Sequence, residues 1–460
     1  MEYDVATKRA AAIVAAVGSF LTPFMGSSIN VALPLIGREF ALGAVLLSWV
    51  PTAFLLSAAM FLVPVGRLAD IYGRKRIFFY GTAVYTLFSL LSAAAFSGVS
   101  LILFRFLQGI GGAMIFGTGV AILTSVYPPQ ERGKALGINV AAVYTGLSLG
   151  PFAGGLLTHY FGWRSVFLAN VPLGLLVLVL VWLKLKGEWA EAKGESFDFL
   201  GAAVYSLGLV ATMYGFSELP SLTGIALVAV GVAGIVAFVA WEGRVKNPVL
   251  DVSLFKTNRV FAFSSLAALI HYSATFAVGF LLSLYLQYLK GLTPQDAGLI
   301  LVAQPVVMAL FSPFAGRLSD RIEPRAVASA GMGLTVAGLF ALVFLTPETS
   351  FGYILAGLIL LGIGFALFSS PNTNAIMGAV HRRFYGVAAG TAGTMRMIGQ
   401  MLSMGIVMVI FAVLLGQARI APQNYGQFLL GIRTAFAVFA VLCVGGIFAS
   451  LARGRLRADA

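Results

Sequence analysis

Fourteen apolar stretches, each of 18 residues or more, follow one another along this chain and leave little room for any other architecture. They cover residues 10–33, 46–66, 77–97, 100–126, 135–158, 165–185, 199–216, 222–241, 260–285, 297–316, 328–346, 351–371, 386–416 and 430–450. A helix rises about 1.5 Å per residue, so even the shortest reaches roughly 27 Å, close to the ~30 Å of a hydrocarbon core. Inside that core backbone N–H and C=O groups must be satisfied within the segment, which requires helices. The longest, 386–416, is expected to tilt or to extend beyond the bilayer. Composition excludes a soluble protein: 59% of residues are hydrophobic and 10% are charged, against ~25% charged in soluble domains. The expected fold is therefore all-α and integral to a membrane, with fourteen transmembrane helices.

The formal net charge of +13 would indicate a nucleic-acid partner in a soluble protein. Here the basic residues sit in short loops, so membrane topology accounts for them and no nucleic acid is expected. Placing both termini in the cytoplasm puts most Lys and Arg on that side, including Arg67, Arg74, Lys75 and Arg76 and the tail residues Arg453, Arg455 and Arg457. Arg38, Arg164, Lys290, Arg419 and Arg433 fall on the outer side. The bias orients the chain in the cell membrane but does not test the hairpin 199–241, whose removal leaves every other loop on its side. A single cysteine, Cys443, rules out an internal disulfide framework. The histidines His159, His271 and His381 are too scattered for a metal site, and no cofactor or metal is expected. The first apolar run lacks a small-residue cleavage site and is expected to stay as a helix.

The chain repeats itself. Gly66-Arg67-Leu68-Ala69-Asp70 returns as Gly316-Arg317-Leu318-Ser319-Asp320. Gly109-Ile110-Gly111 returns as Gly362-Ile363-Gly364, and Gly133 and Gly137 return as Gly386 and Gly390. The matches fall at corresponding points of two six-span units, 10–185 and 260–450. Between them, 186–259 holds two polar linkers and the inserted hairpin 199–241, and 451–460 forms a basic tail. A repeat of this kind places a substrate cavity between the halves near the bilayer midplane, with alternating access around it.

The repeated residues also carry a signature. Gly66-Arg67-Leu68-Ala69-Asp70-Ile71-Tyr72-Gly73-Arg74-Lys75-Arg76 resembles the loop between the second and third helices of the major facilitator superfamily. Leu103-Phe104-Arg105-Phe106-Leu107-Gln108-Gly109 resembles the arginine motif of its fourth helix. Gly146, Gly150, Pro151, Gly154 and Gly155 lie in a stretch similar to the fifth-helix motif of its exporters. Trp163-Arg164 through Asn170-Val171-Pro172-Leu173-Gly174 resembles a motif of the fourteen-span EmrB/QacA-type drug:proton antiporters. The resemblance implies a conformational latch formed by Gly66, Arg67, Asp70, Gly73 and Arg74 with Gly316, Arg317 and Asp320. It also implies a hinge and seal at the fifth-helix glycines and a proton-coupling role for Arg105. Physically, Gly66 and Gly73 permit a tight turn, and Asp70 can pair with a nearby Arg or cap a helix. Gly146, Gly150 and Gly154, spaced by four, share one helix face that allows close approach.

Charges inside the membrane are few. An Arg at a helix centre costs roughly 2.5–3.5 kcal/mol on insertion scales, so Arg105 and Arg396 need partners or water. All seventeen Asp and Glu lie in loops or at span ends. The first helix reads Phe24-Met25-Gly26-Ser27-Ser28-Ile29-Asn30-Val31-Ala32-Leu33-Pro34, with Met25 where antiporters resembling this chain carry an Asp. That weakens carboxylate-based proton coupling and the binding of multivalent cations. His271 is the other titratable group at mid-membrane, and an imidazole exchanges protons near neutral pH; the alternative is a neutral His bonded to its neighbours. Phe20, Phe24, Met25, Gln108, Tyr272, Phe276, Gln304, Arg396 and Gln400 are candidate cavity residues, an apolar and aromatic lining with a few polar groups.

The expected function is secondary transport that exports small lipophilic or amphipathic compounds, coupled to protons, by a monomer in the lipid bilayer. A permease for one defined metabolite and a proton-independent facilitator stay open. A polytopic lipid-modifying enzyme would need catalytic acids or a metal cluster that the loops do not offer. No Walker A loop is present, which argues against an ATP-driven pump.

Overall fold

The computed structural model describes residues 4–250, 252–381 and 385–454; Arg455 and Arg457 of the tail lie outside the described residues. Fourteen helices among these are long and apolar enough to cross a membrane. They are α1 (Ala6–Glu39), α2 (Ala44–Tyr72), α3 (Arg74–Ala93), α4 (Gly98–Val126), α5 (Glu131–Phe161), α6 (Arg164–Lys184), α7 (Phe199–Glu218), α8 (Leu222–Glu242), α9 (Arg259–Leu289), α10 (Pro294–Arg321), α11 (Pro324–Leu342), α12 (Phe351–Gly378), α13 (Tyr385–Leu414) and α14 (Pro422–Ala452). Each coincides with one expected stretch, α7 and α8 of the hairpin included. The ends differ by a few residues for local reasons. α3 stops at Ala93 because Ser97 starts the next helix, its hydroxyl accepting from Ser100 N at 3.1 Å. α11 starts early, at Pro324, which needs no N–H donor at a first helical turn.

The sequence repeat reappears as a packing repeat. In α4, a Cβ on Gly109 would strike Phe54 O of α2, and one on Gly111 would lie 2.5 Å from Tyr85 N of α3. In α12, a Cβ on Gly362 would lie 2.7 Å from Gln304 O of α10, and one on Gly364 would lie 2.8 Å from Gly331 O of α11. In both halves one glycine lets the fourth helix approach the second, and the glycine two residues on lets it approach the third. Two six-helix bundles, α1–α6 and α9–α14, are built on this plan. The α7–α8 hairpin leans on both: Tyr205 OH of α7 donates to Ala59 O of α2 at 2.9 Å, and Gly405 of α13 packs against Phe216 of α7.

Helix α9 is not continuous. Its regular part ends at Thr275, a second segment runs Val278–Leu284, and a π-helical turn follows at Tyr285–Leu289. Thr275 Oγ1 donates back to His271 O and Ser273 Oγ to Leu269 O, both at 2.8 Å. Such back-bonding bends helices. The Ala277 N–H freed at the break donates to Ser403 Oγ of α13 at 3.0 Å. A broken helix is tolerated at membrane depth where a neighbour re-satisfies its backbone.

Two sequence readings change here. α2 continues unbroken through Tyr72, so Gly66 is a helical residue with open space around it, and the turn rests on Gly73 alone, at φ +118°. Arg453 is no free tail charge. It is 1% exposed and donates to Asn372 Oδ1 at 2.9 Å and Ser264 Oγ at 3.2 Å.

Candidate transport site

The two bundles meet at the face opposite the described termini. Across that face Ser283 Oγ of α9 donates to Asn30 O of α1 at 2.6 Å, and Gln287 Nε2 to Val31 O at 3.0 Å. Ala44 N of α2 donates to Ala418 O after α13 at 3.1 Å. On the third side a Cβ on Gly155 of α5 would lie 2.7 Å from Pro294 O of α10, and one on Gly298 would overlap Pro151 O. A crevice of about 290 Å³ remains there, lined by Arg38, His159, Gln287 and Thr293 among others.

Toward the other face the same helices part. Gly137 lies 18 residues, about five turns, before Gly155, and so on the same side of α5. A Cβ there would meet nothing within 4 Å among the described residues, and the same holds for Gly133. A Cβ on Gly393 of α13 would lie 3.8 Å from Leu62 of α2, whereas one on Gly386, two turns nearer the termini, would meet nothing within 4 Å among the described residues. Among the described residues the bundles are thus sealed at the far face, and these glycines make no such contact toward the face that carries the termini.

The fifth-helix motif divides its work. Gly146, Gly150 and Gly154 pack α5 onto α1 within one bundle, against Phe20 O, Ser27 and Ser28. Ser28 Oγ adds a bond to Gly150 O at 2.9 Å. Gly155 and the Pro151 carbonyl are the part of the motif that touches the other bundle.

At the termini-bearing face, the α2–α3 loop is engaged by the linker 186–198. Arg74, nearly buried, donates to Asp70 Oδ1 through Nε at 2.9 Å and Nη2 at 2.8 Å, and through Nη1 to Glu191 at 2.8 Å and Ser125 Oγ at 2.7 Å. Arg67 pairs with Glu195. The Glu188 carboxylate accepts from Lys75 N at 2.8 Å and Arg76 N at 3.2 Å, capping the start of α3 where helix N–H groups lack partners. A side chain on Gly73 would collide with that carboxylate. Backbone bonds Arg74 N to Trp189 O and Ala192 N to Asp70 O, both 2.9 Å, complete the docking. The linker glutamates were invisible as partners in the sequence, where they read only as a polar connection. The second copy, Gly316, Arg317 and Asp320, ends α10 at the same face, where Asn374 Nδ2 of α12 donates to Ser319 Oγ at 2.7 Å.

The interior charges occupy different environments. Arg105 is 1% exposed inside the first bundle. It bonds Gln108 and Val50 O, and lies 4.5 Å from the Phe54 ring centre. Gln108 passes the link on to Ser89 Oγ at 2.6 Å, so its amide faces the bundle and not the opening. His271 is fully buried in the second bundle, stacked on Phe368 at 4.0 Å and beside Phe365 at 5.1 Å, with no partner on either ring nitrogen among the described residues. Phe24 and Met25 are buried, with Phe24 stacked on the half-exposed Phe20 at 5.2 Å. Tyr272, Phe276, Gln304, Arg396 and Gln400 are half-buried.

Arg396 and Tyr272 come together between the bundles. The Arg396 guanidinium lies 5.1 Å from the ring centre of Phe116, on α4 of the first bundle. Tyr272 of α9 packs on α13 close by, since a Cβ on Gly399, three residues after Arg396, would lie 2.8 Å from Tyr272 Cβ. Tyr272 OH lies 3.5 Å from Ser369 Oγ of α12. Arg396, Phe116, Tyr272 and Ser369 thus link four helices, α13, α4, α9 and α12, in this part of the interior.

The Major Facilitator Superfamily profile matches residues 15–262 and 264–459. The chain belongs to the major facilitator superfamily. It is 32% identical over 407 residues to the multidrug resistance protein Stp of Mycobacterium tuberculosis, covering 87% of this chain and 75% of Stp. It is 27% identical over 438 residues to the riboflavin transporter RibZ of Clostridioides difficile, covering 95% of each. Among solved structures, a bacterial homologue of the lysosomal transporter Spinster, in an inward-facing and unoccupied conformation, superposes with a TM-score of 0.71 at 17% identity over 98% of both chains. The resemblance drawn from the loop and glycine motifs thus holds: this is a multi-pass membrane transporter of the major facilitator fold, with fourteen spans.

Proposed function

We propose that this transporter exports small amphipathic compounds by alternating access, driven by protons, with both termini in the cytoplasm. The observation that carries the reading is the asymmetric closure. Bundle contacts seal one face, while the glycines of the same helices stand open at the other. With the termini inside, that state accepts molecules from the cytoplasm. The Stp resemblance supports export. The RibZ resemblance favours a second reading, a permease for one metabolite. The reading is transport without chemistry on the substrate.

His271 is the proposed proton carrier. Its imidazole faces Phe365, Phe368 and Tyr272 and sits four residues before the break in α9. Movement at the break would expose it to water, where it takes up a proton. In proteoliposomes with an imposed pH gradient, a panel of cationic, neutral and anionic amphiphiles should show gradient-driven flux. His271→Asn should abolish that flux and leave downhill exchange intact. Unchanged gradient-driven flux in the variant would falsify the assignment, and an absence of pH-driven flux in the wild type would leave facilitated diffusion.

The latch is proposed to be held open by the linker, with Glu188, Glu191 and Glu195 occupying the loop's cationic and N–H groups in this state. Partly exposed ion pairs contribute about 0–1 kcal/mol each. Replacing all three by Gln should therefore raise trypsin cleavage at the exposed Lys193 by about tenfold. Cleavage at the wild-type rate would show that the docking does not depend on these carboxylates.

A further inference from the structure

Three guanidiniums lie in the interior or at its edge, and two of them are engaged by the protein. Arg105 bonds Gln108 and Val50 O. Arg453 bonds Asn372 and Ser264. Arg396 differs. Among the described residues it makes no hydrogen bond or ion pair, its buried Nε–H included, and its guanidinium lies 5.1 Å from the ring centre of Phe116 on the other bundle.

A cation left this way at membrane depth is costly and marks a ligand path. Among the described residues no carboxylate pairs with it, and those carboxylates lie in loops or at helix ends. The guanidinium is a planar donor fork that matches carboxylates and sulfonates, and its N–H groups are unspent. Beside it are the Phe116 ring and, on the facing turn of α9, Tyr272, which in turn reaches the Phe365 ring and the Ser369 hydroxyl. Such a site has one positive pole and aromatic walls, and offers an organic cation no counter-charge.

We propose that Arg396 anchors an anionic group of the transported molecule, so that this exporter selects aromatic amphiphiles bearing a carboxylate or sulfonate over neutral and cationic ones. The proposal rests on the export reading for its direction of transport, while the anion site itself does not depend on it. Arg396 is neither a proton carrier nor part of the seal in this scheme. The Phe116 contact holds its guanidinium toward the cavity until the ligand arrives.

The test uses three ligands that share a dansyl fluorophore. They are dansylglycine (anionic), its primary amide (neutral) and N-(2-aminoethyl)dansylamide (cationic). Purified protein in lipid nanodiscs is titrated with each, and counterflow of dansylglycine is measured in proteoliposomes. Charge-assisted hydrogen bonds of this kind are strong enough for dansylglycine to bind at least about tenfold more tightly than its amide. Arg396→Gln should bring the two affinities together without weakening the amide, and Arg396→Lys should keep part of the preference. Equal affinities in the wild type, an unchanged preference in Arg396→Gln, equal weakening of all three ligands by it, or no binding of any of them would each overturn the proposal. Anion-selective binding that Arg396→Gln removes, without counterflow, would support the site and count against the transport reading.

Discussion

Gly298→Val should reduce transport to about a fifth of wild type or less while the protein still inserts and folds. Even a Cβ at this position would overlap the Pro151 carbonyl of the opposite bundle, well inside the 3.0 Å that real Cβ atoms keep. That contact is part of the seal at the far face, so under alternating access the cost falls on the state in which that face is closed. Overpacking costs about 1–3 kcal/mol, and each ~1.4 kcal/mol shifts a two-state ratio tenfold. The closed-face population should therefore fall by between about fivefold and a hundredfold, and a transporter that cannot close one face cannot complete its cycle. Labelling reads the shift directly. The single native cysteine, Cys443, is buried, and Ser283 is buried in the seal. Ser283→Cys should react slowly with a membrane-impermeant maleimide alone and about tenfold faster when combined with Gly298→Val. Wild-type flux in Gly298→Val would mean that the α5–α10 contact is not part of the cycle.

Arg105→Met should abolish transport and leave thermal stability equal or higher. The Arg105 side chain is buried with neutral partners, Gln108 and a carbonyl, and aromatic rings. A buried ionic group kept for stability alone would be a poor choice, because isosteric apolar replacements are often neutral or stabilising by about 1–4 kcal/mol. A functional role is therefore the expectation for this buried cation, in the way that active regions commonly trade stability for activity. Proteoliposome flux together with the detergent-solubilised melting temperature checks both halves of the expectation. A melting point lowered by several degrees would make Arg105 a brace between α4, α2 and α6, and any loss of flux would follow from that.

Much of the architecture was legible in the residues because it depends on local properties. Length and continuous apolarity alone identify each span, since lipid forces helical backbone wherever the segment crosses. The glycine pairs Gly109/Gly111 and Gly362/Gly364 were readable as a repeat, and they perform the same packing task in both bundles. The candidate site was legible only in part. Tyr272 and Arg396 were named from their positions; Arg396 lies against Phe116 of the other bundle, and Tyr272 packs on α13 at Gly399, one turn away. Gln108 was named beside them, but its amide is committed to Arg105 and Ser89. The direction a side chain takes from a helix apolar all round carries no amphipathic signal, so the sequence offers no rule that separates Gln108 from Gln304 or Gln400.

The sequence by itself determined the membrane, the number of spans, the two-fold repeat and the family, all of which follow from segment length, composition and short contiguous motifs. The tertiary structure decided that Gly155, and not the stripe at Gly146, Gly150 and Gly154, touches the opposite bundle. It also decided that the linker glutamates hold the α2–α3 loop and that Arg453 is tucked inside. It left Arg396 as the interior cation without a bonding partner among the described residues. Each of these depends on which helices approach within a few ångströms across hundreds of residues of chain. That is set by the packing of whole bundles, which no local pattern encodes.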